Sequence, residues 1–170
     1  MVGHGWTCEP FGISGLEWKA TAQEIPSGVE KYFAEVKGKR ELWGGIPLNT
    51  QLCYSSPKVR NLMAKAVGEY AAANRDVDVI HVWLADGSNN FCECPGCRKD
   101  RPGDLYVKIL NEIDKILSEK KLTVKIVFLA YVDLLWAPVH EKISNPSRFI
   151  LMFAPITRSY SHPFVSKGQG

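Results

Sequence analysis

The sequence has little net charge, no long apolar run and none of the glycine loops that cradle nucleotides. Its 21 Lys and Arg stand against 18 Asp and Glu, a formal charge of +3. So small an excess, with no dense basic run, argues against nucleic acid as a partner. The strongest basic patch is Lys37, Lys39 and Arg40; Glu35 and Glu41 flank it, and it reads as a solvated loop. No stretch approaches the roughly 20 apolar residues needed to cross a bilayer, so no membrane partner is expected. Met1 is followed by Val-Gly-His-Gly rather than by a positive start and an apolar core. That is not the pattern of a secretory leader, and the default location is cytoplasmic. No phosphate-loop, G-x-G-x-x-G or G-x-S-x-G pattern occurs, which removes nucleotide binding and the hydrolase nucleophile elbow from consideration.

Five cysteines, an odd number, do not look like a secreted disulfide scaffold. Three of them fall within six residues, as Cys92-x-Cys94-x-x-Cys97, with Cys53 and Cys8 elsewhere. That grouping fits a reducing compartment or a metal site better. Closely spaced thiolates wrap one tetrahedral Zn²⁺, and an all-thiolate site leaves no open position, so such a zinc would be structural. The fourth ligand must come from elsewhere: Cys53 is the first choice, with Cys8, His4 or His81 behind it. The competing readings are thiols or disulfides bracing a loop, and a redox pair at Cys94 and Cys97. The redox reading lacks a thioredoxin-like context.

The 170 residues suit one domain. A composition 45% hydrophobic and 23% charged belongs to a chain with a packed core rather than to a disordered one. Residues 1–20 are rich in Gly, Trp and Phe without helical or strand period, and read as a large packed loop. Pro57, after Ser55-Ser56, opens a predicted helix over 57–73, with Val59, Leu62, Met63, Ala66, Val67 and Tyr70 on its apolar face. A second helix is predicted over 103–119, its core face carrying Leu105, Ile109, Leu110, Ile113 and Leu117. Apolar, β-branched runs predict strands over 78–84, 122–132 and 149–154, and a short helix is expected near 138–143. The polar segment 161–170 reads as a flexible tail after a domain spanning 1–160.

Strands separated by helices imply parallel βαβ units, whose strands read as continuous apolar runs because both faces are covered. An open three-layer sheet and a partial (β/α)8 barrel of the TIM type both satisfy the pattern. A whole barrel takes roughly 250 residues, and only three or four strands are visible. A partial barrel would leave two unpaired sheet edges and invite a homo-oligomer.

Sites in such folds sit at the C-terminal ends of strands. Asp86 and Asp133 are the two acids there, and aromatic residues lie close by in sequence. Acid beside aromatic is what sugar binding uses, and glycoside hydrolysis adds the need for a carboxyl pair. The plainer readings are a turn at Asp86-Gly87 and a cap at Asp133. His4, Trp6, Asn89, Asn90, Tyr131, Trp136 and Arg158 complete the expected sugar-contacting set, with Trp83 assigned to core packing.

The segments GHGWTCEPFGISGLEW, NTQLCYSSPKVR, DVIHVWLADGSNNFCECPGCR, IVFLAYVDLLWAP and RFILMFAPITRSYS together resemble the bacterial family called domain of unknown function 4838. The resemblance runs to about Tyr160, and LADGSNNFCECPGCR is its most specific motif. It implies a glycoside-hydrolase-like α/β barrel longer than this chain. It groups Cys53 with Cys92, Cys94 and Cys97, and it puts an Asp at the strand end where Asp86 stands. Hexosaminidase-type barrels often carry an adjacent Asp-Glu pair there. Here Gly87 follows Asp86, so that substrate-assisted mechanism does not transfer. The reading that follows is a fragment of a carbohydrate-active protein with a glycan ligand. The alternative is a non-catalytic, zinc-stabilised binding or scaffold module.

Overall fold

The computed structural model describes residues 3–14, 17–156 and 158–161. In chain order they form β1 (Glu35–Val36), β2 (Lys39–Arg40), α1 (Pro57–Ala73), β3 (Val79–His81), α2 (Pro102–Glu119), β4 (Lys125–Ala130) and β5 (Phe149–Phe153), with short 3-10 turns between them. β1 and β2 make a small antiparallel hairpin. The main sheet is parallel, in the order β3-β4-β5, with Ile80 opposite Ile126 and Val127 opposite Ile150. β3-α2-β4 is a parallel βαβ unit, β5 joins the same sheet through a crossover without an α-helix, and the sheet is open: no barrel is formed by the described residues.

Both long helices form where the apolar period predicts them. α1 buries Val59, Met63, Ala64, Val67, Gly68 and Ala71 along one face. Leu62, Ala66 and Tyr70 flank that stripe and are partly buried. α2 buries Leu105, Ile109, Leu110, Ile113 and Leu117, the predicted face. The two helices pack on each other, tightly at Gly68. An added Cβ there would stand 2.5 Å from Ile116 Cγ2, so the approach depends on the missing side chain.

The first segment does more than cover the core. Gly3 forms a parallel bridge to Val82, donating to His81 O at 3.0 Å and accepting from Trp83 N at 3.2 Å. It extends the main sheet beyond β3. Gly3 has φ +64°, and the Trp83 ring lies 3.2 Å from where its Cβ would stand, so any side chain would be both strained and crowded.

The helix expected near 138–143 is absent; the segment is irregular. The reason lies in α2. Asp104, fully buried, accepts hydrogen bonds at Oδ1 from the backbone N–H groups of Val139, His140 and Glu141, at 2.9, 2.7 and 2.9 Å. Those donors converge on one carboxylate instead of running along a helix axis. Asn111 then donates to Lys142 O and accepts from Ser144 N, both at 3.0 Å. The segment is thus strapped along α2 by side chains.

No described helix is long and apolar enough to cross a membrane. Residues 162–170 of the expected tail lie outside the described residues.

Candidate functional site

Two features stand at the C-terminal side of the main sheet: a cluster of sulfurs and a carboxylate ringed by aromatics. Cys53 sits in the strap between β2 and α1, just after Leu52, which bridges to Phe33. Cys92, Cys94 and Cys97 sit in the loop after β3. The loops close on each other at Gly96, where a Cβ would meet Ser55 Oγ at 2.7 Å.

The four Sγ atoms of Cys53, Cys92, Cys94 and Cys97 all lie within 4.8 Å of one another, and all four residues are buried. Cys53 Sγ is 3.6 Å from Cys94 Sγ and 3.9 Å from Cys97 Sγ. A tetrahedral site with metal–sulfur bonds of 2.3 Å has sulfurs about 3.8 Å apart, so these spacings match one cation. They are far from the 2.05 Å of a disulfide, and all five cysteines are free. Cys53 is thus the fourth member of the group. Cys8 instead packs in the core beside Thr7, and burial pushes its thiol up to about 11. His4 and His81 both turn to Trp83.

The surroundings suit anionic sulfur. Glu35 N–H donates to Cys92 Sγ at 3.3 Å and Ser55 N–H to Cys97 Sγ at 3.4 Å. The Cys97 thiol donates to Ser55 Oγ at 3.2 Å. Arg40 is aimed by Phe33 O at 2.5 Å and by the Glu35 carboxylate at 3.2 Å. Burial works against the Arg40 cation, but the neighbouring Cys53, Cys92 and Cys94 sulfurs outweigh it and hold its pKa above the ordinary value. Among the thiols, contacts from Cys92 and Cys97 pull Cys53 down. The same contact with Cys53 pushes Cys97 up. A divalent cation would replace this shared-proton arrangement with four thiolates. Ser55, Glu35 and Arg40 were not legible as partners of the cysteines, because two of them sit on a hairpin remote in sequence.

Asp86 follows β3, and its backbone N–H is anchored to Leu48 O at 2.8 Å. Its Oδ2 accepts from Trp18 Nε1 at 2.8 Å. Its Oδ1 accepts from Gly87 N–H at 2.7 Å and from the Tyr131 hydroxyl. Both oxygens act as acceptors, so both are oriented by fixed neighbours. His4 stacks edge-on to Trp18 and Trp83, with ring centres 6.2 and 5.1 Å away. Its Nδ1 bonds the Leu84 carbonyl; a carbonyl accepts only, so Nδ1 is the donor in this bond. Trp83 is half-buried, and its Nε1 is buried with no partner.

Asp133, after β4, accepts from Asn89 N–H at 2.8 Å, so it caps the Asp86 loop from the other side. Asn89, Phe91, Glu93, Arg101, Asp133 and Trp136 line a neighbouring open cavity of about 420 Å³. Trp136 is 71% exposed there.

The remaining expected contacts lie elsewhere. Trp6 is fully buried, donates to His81 O at 2.8 Å and stacks edge-on to Tyr70, which makes it core. Asn90 is buried, and its Nδ2 ties Asn49 O and Asp86 O together, both at 2.7 Å. Arg158 lies over the Tyr160 ring, 4.9 Å from its centre, past the end of β5. Trp18 was missed; an indole in a stretch without periodicity gave no sign of reaching Asp86.

The family model described as Domain of unknown function (DUF4838) matches residues 16–169. The chain belongs to this family. The DUF4838 match takes in all four clustered cysteines, Asp86 and Asp133, and leaves His4 and Trp6 before its first residue. The family description names no activity. No curated protein and no solved structure matches the chain.

Proposed function

We propose that this DUF4838 chain is a metal-stabilised α/β domain in which Cys53, Cys92, Cys94 and Cys97 hold one structural Zn²⁺. The observation that carries this reading is the set of four buried sulfurs, from two separate chain segments, at the spacing of a tetrahedral site. Four thiolates fill the coordination sphere, so the metal binds no substrate. Its work is to lock the loop after β3 to the strap before α1. S₄ sites serve both zinc and iron, and elemental analysis distinguishes them. Elemental analysis of protein purified without chelator gives one zinc per chain. Substitution with Co²⁺ gives thiolate-to-metal charge-transfer bands and intense tetrahedral d–d bands. A metal-free chain that unfolds cooperatively and shows no Co²⁺ bands would sink the reading.

A second reading rests on a separate observation, the Asp86 carboxylate among Trp18, Trp83, Tyr131 and His4. On this reading the strand ends bind a glycan. Indole and phenol faces stack on sugar C–H surfaces, while the Asp86 carboxyl and the His4 ring hydrogen-bond hydroxyls. Asp86 serves as hydroxyl ligand or as one of the two carboxyl groups that hydrolysis uses, and Asp133 is the second acid available on the adjacent strand end. The partial TIM-type barrel belongs to this reading, because a parallel sheet with two acids at its C-terminal ends is how such barrels present their sites. Titrating a panel of oligosaccharides against tryptophan fluorescence tests it, with aryl glycosides for turnover. The expected result is a saturable change that Asp86→Asn weakens at least ten-fold. No response across the panel would leave only the metal-stabilised module.

A further inference from the structure

The hairpin whose basic residues read as a solvated loop walls a cavity. β1 and β2 join through Lys37 and Gly38, both at positive φ (51° and 76°), the backbone of a tight two-residue turn. Residues opposed across an antiparallel pair share one face. Arg40, paired with Glu35, lies against the sulfurs. The Val36–Lys39 pair therefore faces the other way, onto a cavity of about 390 Å³. Its sides are apolar, from Ala34, Val36, Leu42 and Trp43. Trp43 is fixed in place: its backbone N–H donates to Thr50 Oγ1 at 2.9 Å, and that hydroxyl donates to Ile46 O at 2.8 Å. The floor is polar and buried, formed by Gln51 and Asn90. Both ends of Gln51 are engaged, Nε2 with Ala85 O at 2.9 Å and Oε1 with the Tyr54 hydroxyl at 2.7 Å. Asn90 differs. Its Nδ2 holds Asn49 O and Asp86 O, while its Oδ1 is buried without a partner among the described residues. Two carbonyls fix which end is the amide nitrogen, so an unused acceptor remains at the floor. Lys37, Lys39 and Glu41 stand at the mouth. All three are exposed, and none makes an ion pair among the described residues.

We propose that this cavity binds a free α-amino acid whose flat side chain ends in a hydrogen-bond donor, with L-tyrosine as the simplest case. Three features select that class. Opposite charges at one mouth match a zwitterion: the lysine ammonium groups meet the α-carboxylate, and Glu41 meets the α-ammonium. Apolar walls that include an indole suit an aromatic ring. The unused Asn90 oxygen accepts from the terminal hydroxyl, and a site built around such a bond discriminates against the analogue that lacks it. The volume falls within the roughly 300–1,000 Å³ of small-molecule sites. A simple anion would leave Glu41 opposing it, and a wholly apolar ligand would leave Asn90 unsatisfied.

Isothermal titration calorimetry of the full chain tests the proposal. L-tyrosine should bind saturably, one per chain. Asn90 also holds the Asp86 main chain, so the floor is probed from the ligand side. L-phenylalanine lacks the hydroxyl, tyramine the carboxylate and 3-(4-hydroxyphenyl)propionate the ammonium group. Each should bind at least about ten-fold more weakly than L-tyrosine. The mouth is probed by substitution of exposed residues, with circular dichroism to check folding. Lys37→Asn combined with Lys39→Gln removes both cations, and Asn tolerates the positive φ at position 37. That chain should lose about ten-fold or more for L-tyrosine and nothing for tyramine. Glu41→Gln should weaken L-tyrosine without weakening 3-(4-hydroxyphenyl)propionate. No binding of L-tyrosine at its solubility limit, equal binding of L-phenylalanine, or mouth variants that bind L-tyrosine as the wild type does would each overturn the proposal.

Discussion

Replacing Asp104 with Asn should unfasten a whole segment while leaving the shape of the side chain intact. The carboxylate is fully buried and accepts from four backbone N–H groups: Val139, His140 and Glu141 at Oδ1, and Arg101 at Oδ2 at 3.2 Å. Desolvation opposes its charge, but the four donors outweigh that and hold its pKa below the ordinary carboxylate value. An amide offers one acceptor oxygen. If it serves the three donors of the 139–141 turn, its NH₂ faces Arg101 N–H, and one donor is left opposing another. Charge-assisted bonds contribute about 1 kcal/mol more than neutral ones, so the three retained bonds weaken and the fourth is lost. The sum is roughly 2–4 kcal/mol, a large part of the 5–15 kcal/mol that stabilises a domain. Thermal unfolding followed by circular dichroism should drop by about 5–15 °C, and hydrogen exchange should accelerate first across residues 138–145. The wild type carries the matching pH dependence. Because the folded pKa is lowered, the stabilisation is fully present above the unfolded value near 4 and is lost as pH falls below it toward the folded value. An Asp104→Asn chain that melts within 2 °C of wild type at pH 7 would refute the reasoning.

Two further changes test the packing of the helices and the seat of β5. Gly68→Ala gains helix propensity yet should lose about 1–3 kcal/mol by denaturant titration, because its methyl meets the stiff branched end of Ile116; Ile116→Ala in the same chain should restore most of it. Arg148→Met removes three hydrogen bonds to Asp114, Leu122 O and Val124 O, at 2.7–2.8 Å. It should cost about 2–4 kcal/mol, since Asp114 is then left largely buried without its cation; a loss under 1 kcal/mol would count against that account.

What was legible in the sequence followed from local periodicity. Pro57 and the 3.6-residue apolar spacing gave α1, and the Leu105 to Leu117 stripe gave α2, because each helix satisfies its backbone within itself. The three parallel strands were legible for a similar reason, since FILMF or KIVFLA suits little else. Cys92-x-Cys94-x-x-Cys97 announced itself by spacing, and Cys53 was the first choice for its fourth member, a grouping that the family resemblance supported. The failures are all long-range. The turn at 139–141 is claimed by a carboxylate some 35 residues earlier, which no window over 138–143 reveals. Trp18 reaches Asp86 across 68 positions. Trp6, in the Gly-rich first segment, is core because its N–H finds the His81 carbonyl. Gly3 gave no strand signal, since a single bridging residue has no period to read.

The sulfur cluster takes one ligand from before α1 and three from after β3. The cation it fits would therefore close a chain loop that contains a helix and a strand, and a loop that long resists closure in a disordered chain. Three sulfurs lie close enough in sequence to capture metal early and loosely. The fourth arrives only when α1 has docked and β3 has paired. Tight uptake would then follow the packing of α1 on α2 and the pairing of β3 with β4 rather than initiate them. A refolding experiment with a zinc-sensitive dye would show it as a slow second phase, a signal that these contacts between the two halves of the chain are in place.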